Sequence, residues 1–229
     1  KPFFLYLSYT APHDPLHAWP EDIEKHEGVY DVGYSMIRQE RYRRQKEMGL
    51  VDERFPLSEA SFDEWDSLSE EEKQEEARTM AVYAAMIDRM DQNIGELVER
   101  LKEIGEADNT LILFASDNGA SSEVVNIEDD YGKIGSLTRW ASQGANWANV
   151  SNTPFRFYKN FSHMGGMASP LIAYWPEGIH EKGRIVHQAG HFIDFMPTFI
   201  ELSGASYPST QDGVDITPME GKSLVPIFR

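Results

Sequence analysis

The sequence predicts an α/β fold with a mostly parallel sheet. An apolar run opens the chain from Phe3 to Tyr9, a long helical pattern follows Ser69, and a second apolar run spans 110–116 after a short turn. Strand, helix, strand in that order is a βαβ unit, the connection that joins parallel strands.

Each element has its own cause. Phe3–Tyr9 is aromatic and aliphatic, the composition of a buried strand. Pro12 and Pro15 then fix the backbone on either side of His13 in a loop at the strand's carboxyl end. Residues from about 20 to 68 are polar and punctuated by Gly28, Gly33, Gly49 and Pro56, which predicts a variable insertion with short helices. Its one basic cluster, Arg38–Lys46, is expected to be a solvated helix face, and His17 and His26 are expected to face solvent.

Ser69 with Glu72 fits a capping box. Met80, Tyr83, Ala84, Ile87, Met90, Ile94, Leu97, Val98, Leu101 and Ile104 then recur at helical spacing, until Gly105 ends the helix. Leu111 to Phe114 lack alternation, as in a strand covered on both faces. Residues 120–157 are irregular and rich in Gly, Ser, Asn and Trp, a length and composition typical of binding loops. Trp140 and Trp147 are expected to pack, with stacking on a sugar or aryl ring as their other possible use. Pro170–Trp175 is a short strand stopped by Pro176. Phe192–Leu202 is a helix with Asp194 as N-cap and Pro197 in its first turn; His187 and His191 beside it are assigned packing or capping, and Asp88 and Asp91 a structural role.

Composition bounds the function. The 229 residues are 41% hydrophobic and 12% aromatic, enough for a folded core and one domain. A formal charge of −17 argues against nonspecific nucleic-acid binding, which needs basic patches. It also repels anions, so an anion site here requires local Lys, His or metal charge. With no cysteine there is no disulfide, thiolate site or Cys nucleophile. No apolar run reaches membrane-spanning length, and no signal peptide is visible. The chain opens without Met inside an apolar run, as a piece of a longer protein would.

Three polar elements carry the chemistry. Asp117-Asn118-Gly119 follows an apolar strand at its carboxyl end, where α/β proteins bind ligands, and offers oxygens suited to a hard divalent cation. The same tripeptide also suits a tight turn. His13 and Lys159 are the other two, with His163 just before Gly165-Gly166.

This ordered set resembles the sulfatase family, of the alkaline-phosphatase-like superfamily. The matching segments are Phe3–Leu7 with Ala11-Pro12-His13-Asp14-Pro15-Leu16, then Tyr83 through Asp88 and Asp91 to Gly95, then Ser116–Gly119. Tyr158-Lys159 through Gly165-Gly166, His191 through Asp194 to Thr198, and Gly221–Leu224 follow in order. The loop Trp140–Trp147 looks most like the bacterial arylsulfatase branch.

The resemblance implies a three-layer αβα fold, mostly parallel in its central sheet and incomplete at the N-terminus. Residues 1–229 would be the C-terminal portion of a catalytic domain, with 20–68 a variable insertion and 120–157 an active-site loop region. It implies Asp117 and Asn118 as ligands of Ca2+ (or Mg2+), and His13 as a substrate contact and general acid, since an imidazole exchanges its proton near neutrality. It further implies Lys159 as a cation on a sulfate oxygen, and His163 as a substrate-binding or lining residue. The substrate would be an aryl, small-molecule or carbohydrate sulfate ester, and the compartment periplasmic or extracellular.

The family's formylglycine nucleophile, made from the first residue of Cys/Ser-x-Pro-x-Arg, has no counterpart. Ser206-Tyr-Pro208-Ser-Thr210 lacks the Arg, and Asn152-Thr-Pro154-Phe-Arg156 begins with an unconvertible residue. That nucleophile is expected in an N-terminal part not in this sequence, and the chain alone is expected to be inactive. Two alternatives remain open: a phosphate or phosphonate ester hydrolase of the same superfamily, and a non-catalytic binder of sulfated glycans.

Overall fold

The computed structural model describes residues 1–127 and 130–228; Glu128 and Asp129 of the 120–157 stretch, and Arg229, lie outside the described residues. The chain is α/β and divides into two compact units, Lys1–Arg100 with Phe114–Leu171 and Leu101–Leu113 with Ile172–Arg229.

The first unit is organised on the long helix. In chain order its helices are α1 (Pro20–Glu24), α2 (Gly33–Glu47), α3 (Glu70–Glu103, whose last residues fall in the second unit), α4 (Gly144–Ser151) and α5 (Met164–Met167). The predicted capping box starts α3: Ser69 N donates to Glu72 Oε2 at 2.7 Å and Glu72 N to Ser69 Oγ at 3.3 Å. Gly105 follows its end with φ +75, a conformation glycine adopts without strain.

The buried face of α3 shares Met80 and Leu101 with the predicted stripe and departs from it elsewhere. Ala77, Met80, Ala81, Val82 and Ala85 are buried, whereas Ile87 and Ile104 are exposed. Two clusters divide this face. Leu16, Ile23 and Ala141 pack on Ala81, Val82 and Ala85, while Tyr34, Trp147 and Val150 pack with Met80. Alanines four residues apart let neighbouring elements come close, so small residues are buried where larger ones were expected.

The 20–68 segment holds α1, α2 and a single 3₁₀ turn, Trp65–Ser67, and it contributes buried Asp22, Ile23 and Tyr34 to this unit. Arg38 departs from the solvated face expected of it. It is 3% exposed, with its guanidinium on Ser58 O at 2.9 Å and Ser58 Oγ at 2.7 Å. Asp22 is likewise buried, held by Arg89 at 2.6 Å and Lys25 at 2.9 Å. His17 and His26 are half-buried rather than solvated: His17 bridges to Gly135, and His26 Nε2 lies 3.8 Å from Asp88.

Within 120–157, the predicted irregular stretch contains α4. Tyr30, Tyr34 and Trp65 set their rings edge-on to Trp147 at 5.6, 4.7 and 6.1 Å, and its indole N–H donates to Glu76 O at 2.9 Å. Trp147 packs, as expected. Gly, Asn and Ser make α4 a weak helix by propensity; burial of its aromatic face overrides that preference.

The strands are shorter than predicted. β1 is Ile112–Ala115 and β2 is Leu171–Tyr174, in one two-stranded sheet. Phe114 is 39% and Ile172 59% exposed, so the covering of both faces expected for this strand is not met among the described residues. The Phe3–Tyr9 run forms no strand, and Phe3 through Leu7 are all exposed. Apolar composition favours burial, but a strand also needs a neighbour for its N–H and C=O groups, and neither sheet extends to this run.

In the second unit a 3₁₀ turn, Phe192–Asp194, leads into α6 (Phe195–Ser203), which Gly204 ends in the left-handed region at φ +66. Asp194 does not cap α6 with its side chain. Its carboxylate accepts from Lys222 N at 2.7 Å and His191 N at 2.8 Å, and these two bonds hold it below the ordinary carboxylate range. His191 caps the turn, accepting from Ile193 N; His187 is exposed instead of packed. Thr198, fully buried, accepts from Leu224 N at 2.8 Å ahead of α7 (Val225–Phe228). β3 (Thr210–Gln211) and β4 (Val214–Asp215) form a small antiparallel hairpin.

Candidate active site

Three loops of the first unit meet through their backbones. Gly119 N donates to Gly166 O at 3.0 Å, Lys159 N to Ala120 O at 3.0 Å and Gly165 N to Arg156 O at 3.2 Å. Asn152 clamps the same loops: Oδ1 accepts from Ala120 N at 3.0 Å and Nδ2 donates to Phe157 O at 3.1 Å. The approach is close enough to require glycine. A Cβ on Gly119 would strike the carbonyl of Gly165, one on Gly165 the carbonyls of Arg156 and Phe157, and one on Gly166 that of Phe161. The segment carrying Asp117 and Asn118 is thereby tied to the segment carrying Lys159.

His13 reaches the same place from the first loop. Its Nε2 lies 3.2 Å from Lys159 Nζ, although 146 residues separate the two. Lys159 also donates to Glu123 Oε2 at 3.0 Å, and that bond holds the Glu123 carboxyl below the usual glutamate range. On its other side, His13 Nδ1 lies 2.6 Å from Asp14 Oδ1 and 3.1 Å from the Asp14 carbonyl. The Asp14 side chain is buried and anchored by Ser142 Oγ at 2.7 Å. Leu16 N donates to Ala141 O at 2.9 Å, so main chain and side chains both pin the histidine loop to the 141–142 turn.

His13 and Lys159 are thus in contact. Asp117 is exposed and Asn118 half-buried just beyond β1, and neither side chain has a hydrogen-bond partner among the described residues. His163 is exposed at the start of α5 and packs edge-on to Phe157 at 4.8 Å. No cluster of three potential metal-ligating His, Asp or Glu side chains exists among the described residues.

Sequence reasoning missed Glu123, Asp14 and Asn152. Asp14 had a signal, being adjacent to His13 and fixed by the following proline; Glu123 and Asn152 act across the fold with no local pattern. A surface cavity of about 370 Å³, lined in part by Val125, Ile127, Arg139, Trp140 and Ser142, lies beside the Asp14 anchor.

The sulfatase family model matches residues 1–205, and the chain belongs to the sulfatase family. The arylsulfatase of Klebsiella aerogenes is 35% identical over 98% of this chain and 51% of its own length. An uncharacterized sulfatase of Schizosaccharomyces pombe is 35% identical over 99% of this chain and 44% of its own. Among solved structures, Ps i-CgsB in complex with k-i-k-neocarrahexaose is similar with TM-score 0.59 and 25% identity, over 99% of this chain and 33% of that one. The chain therefore spans about half the length of the curated relatives it matches. No helix among the described residues is long and apolar enough to cross a membrane.

Proposed function

We propose that the chain supplies part of a metal-dependent site that hydrolyses sulfate monoesters of an aryl or carbohydrate alcohol. The observation that carries this reading is the His13–Lys159 contact at 3.2 Å, with the Lys159 loop bonded through Ala120 O to the one that presents Asp117 and Asn118. Two nitrogen groups side by side suit a small oxyanion, and the overall charge of −17 makes their local attraction necessary. Lys159 faces sulfate oxygens and holds charge that grows there as the S–O bond breaks. His13, through Nε2, hands a proton to the departing alcohol oxygen. His163 lies at the rim as a substrate contact.

Asp117 and Asn118 offer a carboxylate and an amide oxygen with no competing partner among the described residues, a donor chemistry that fits Ca2+ (or Mg2+). They fit as two members of a larger set, since calcium takes six to eight oxygens. When bound, the ion would neutralise the sulfate. No residue of this chain fits the formylglycine nucleophile. The fold proposed for the complete domain is the three-layer αβα arrangement with a mostly parallel sheet that includes β1 and β2.

The test is a titration of sodium sulfate, with calcium present, into isotope-labelled chain. Resonances of His13 and Lys159 are expected to shift, and Lys159→Ala to abolish the response. Shifts confined to other residues, or unchanged by Lys159→Ala, would sink the reading. The chain alone is expected not to turn over a chromogenic aryl sulfate above a His13→Ala control.

A further inference from the structure

The geometry points to Asp14 as a positioning residue that fixes the tautomer and direction of the His13 ring. Lys159 has N–H donors and no acceptor, so at 3.2 Å it donates into a lone pair on His13 Nε2. The neutral ring then carries its proton on Nδ1. The neighbours of Nδ1 agree, for both are acceptors: Asp14 Oδ1 at 2.6 Å and the Asp14 carbonyl at 3.1 Å. The carboxylate contact is short but outside hydrogen-bond alignment, so its attraction for the Nδ1 proton is chiefly electrostatic; the aligned bond goes to the carbonyl.

The carboxylate is not a surface group that happens to lie near. Its side chain is 5% exposed, and Oδ1 is buried with no aligned donor among the described residues. A carboxylate oxygen so placed is costly unless a positive or donor group faces it, and the His13 Nδ1–H is the group in reach. Ser142 Oγ, donating to Oδ2 at 2.7 Å, fixes the carboxylate plane. The order Ser142, Asp14, His13, Lys159 thus aims Nε2 at the ammonium group and at any anion bound there. Glu123 Oε2 is 4.0 Å from Nε2, too far to accept its proton.

This inference deepens the proposed function and rests on it for the consequence: a ring held this way donates from Nε2, the nitrogen facing the ester, only as the imidazolium, after Nε2 has taken up a proton from solvent while Nδ1 keeps its own. The tautomer itself is independent of any reaction. Nitrogen-15 spectra of the imidazoles in the 229-residue chain, at a pH where His13 is neutral, are expected to show a protonated Nδ1 and an unprotonated Nε2. Asp14→Ala keeps Lys159 and the residue-14 carbonyl and removes only the carboxylate, so it is expected to give a mixture with a larger share protonated on Nε2, and Ser142→Ala a smaller change in the same direction. A wild-type ring protonated on Nε2 overturns the inference without any variant. So does an Asp14→Ala chain, folded by its dispersed amide spectrum, that keeps the wild-type pattern. If the tautomer is as stated and sulfate causes no shift at His13 or Lys159, the sulfatase reading fails while the positioning role stands.

Discussion

Around Trp147 the contacts are between side chains: three rings stand edge-on to one indole, buried beside α3. Around Lys159 the loops are joined main chain to main chain, through glycines that admit no Cβ, while His13 and Asp117 reach toward solvent and exposed His163 leans on Phe157. The first region gains its free energy from apolar burial, and the second uses backbone hydrogen bonds to fix loops whose side chains stay available. A site for a charged ligand needs the second kind, because polar groups engaged in packing could not rearrange around an anion.

The comparison breaks first if the two regions are not separable. Trp147→Ala removes the central ring of the core and is expected to cost about 3–5 kcal/mol, in the range for large aromatic truncations. Urea denaturation followed by tryptophan fluorescence would measure it, and the site should be lost together with the core. Gly165→Ala is the contrasting change. A methyl facing two carbonyls forces the 156–166 loop to move, at a cost of about 1–3 kcal/mol for overpacking. Its aromatic near-ultraviolet signals should survive while the sulfate response at Lys159 disappears. Equal loss of both signals in both variants would show one cooperative structure instead of a scaffold carrying a site.

The core has a titratable weak point that sharpens the contrast. Glu76 accepts from Tyr34 Oη at 2.7 Å, and burial raises its carboxyl above the ordinary glutamate range. Since the folded chain holds this proton more tightly than the unfolded one, stability is greatest below the ordinary range. It declines as pH rises through the raised value. Glu76→Gln keeps an acceptor for Tyr34 and removes the charge, so it should flatten this part of the stability–pH curve and stabilise the chain at neutral pH. Chemical denaturation at several pH values reads the difference. A steeper decline in the variant would contradict it.

What could be read from the sequence follows the same division. The start of α3 was legible because a capping box lies within four residues, and its end because Gly105 marks the termination locally. The end of β1 was legible because Asp117-Asn118 breaks an apolar run. His13 and Lys159, singled out by an ordered family pattern, lie in contact in the fold, which no local sequence signal foretold. Phe3–Tyr9 was misread as a formed strand because composition reports a preference for burial, whereas pairing depends on another segment. Met80 and Leu101 were read as core and are buried, whereas the alanines at 77, 81 and 85 were missed because they look neutral in sequence and become core only when other segments close on them. Asn152 was dismissed for its chemistry, though its value is two hydrogen bonds, one to the distant Ala120 N and one to the nearby Phe157 O, that join two loops.

The smallest expected effect concerns Glu123, and it tests whether the loop region is poised for an anion. Its carboxylate now occupies Lys159 at 3.0 Å, the position a sulfate oxygen would take. An exposed ion pair adds little to folding, so Glu123→Gln should leave the denaturation midpoint nearly unchanged. For sulfate the same change removes both a competitor and a repelling charge. Binding read at the Lys159 resonance should tighten, more at low ionic strength than at high, because the removed repulsion is screened by salt. Acidification is a weaker lever than the substitution. The bond to Lys159 holds Glu123 below the usual glutamate range, so the carboxylate stays charged until pH falls beneath that range. Lys159 should therefore be released by the variant at neutral pH, and in the native sequence only in more acidic solution. If sulfate binds the variant no better than the native chain, Glu123 does not compete for the ammonium group, and the loops hold a structural ion pair in place of a vacant-ready anion site.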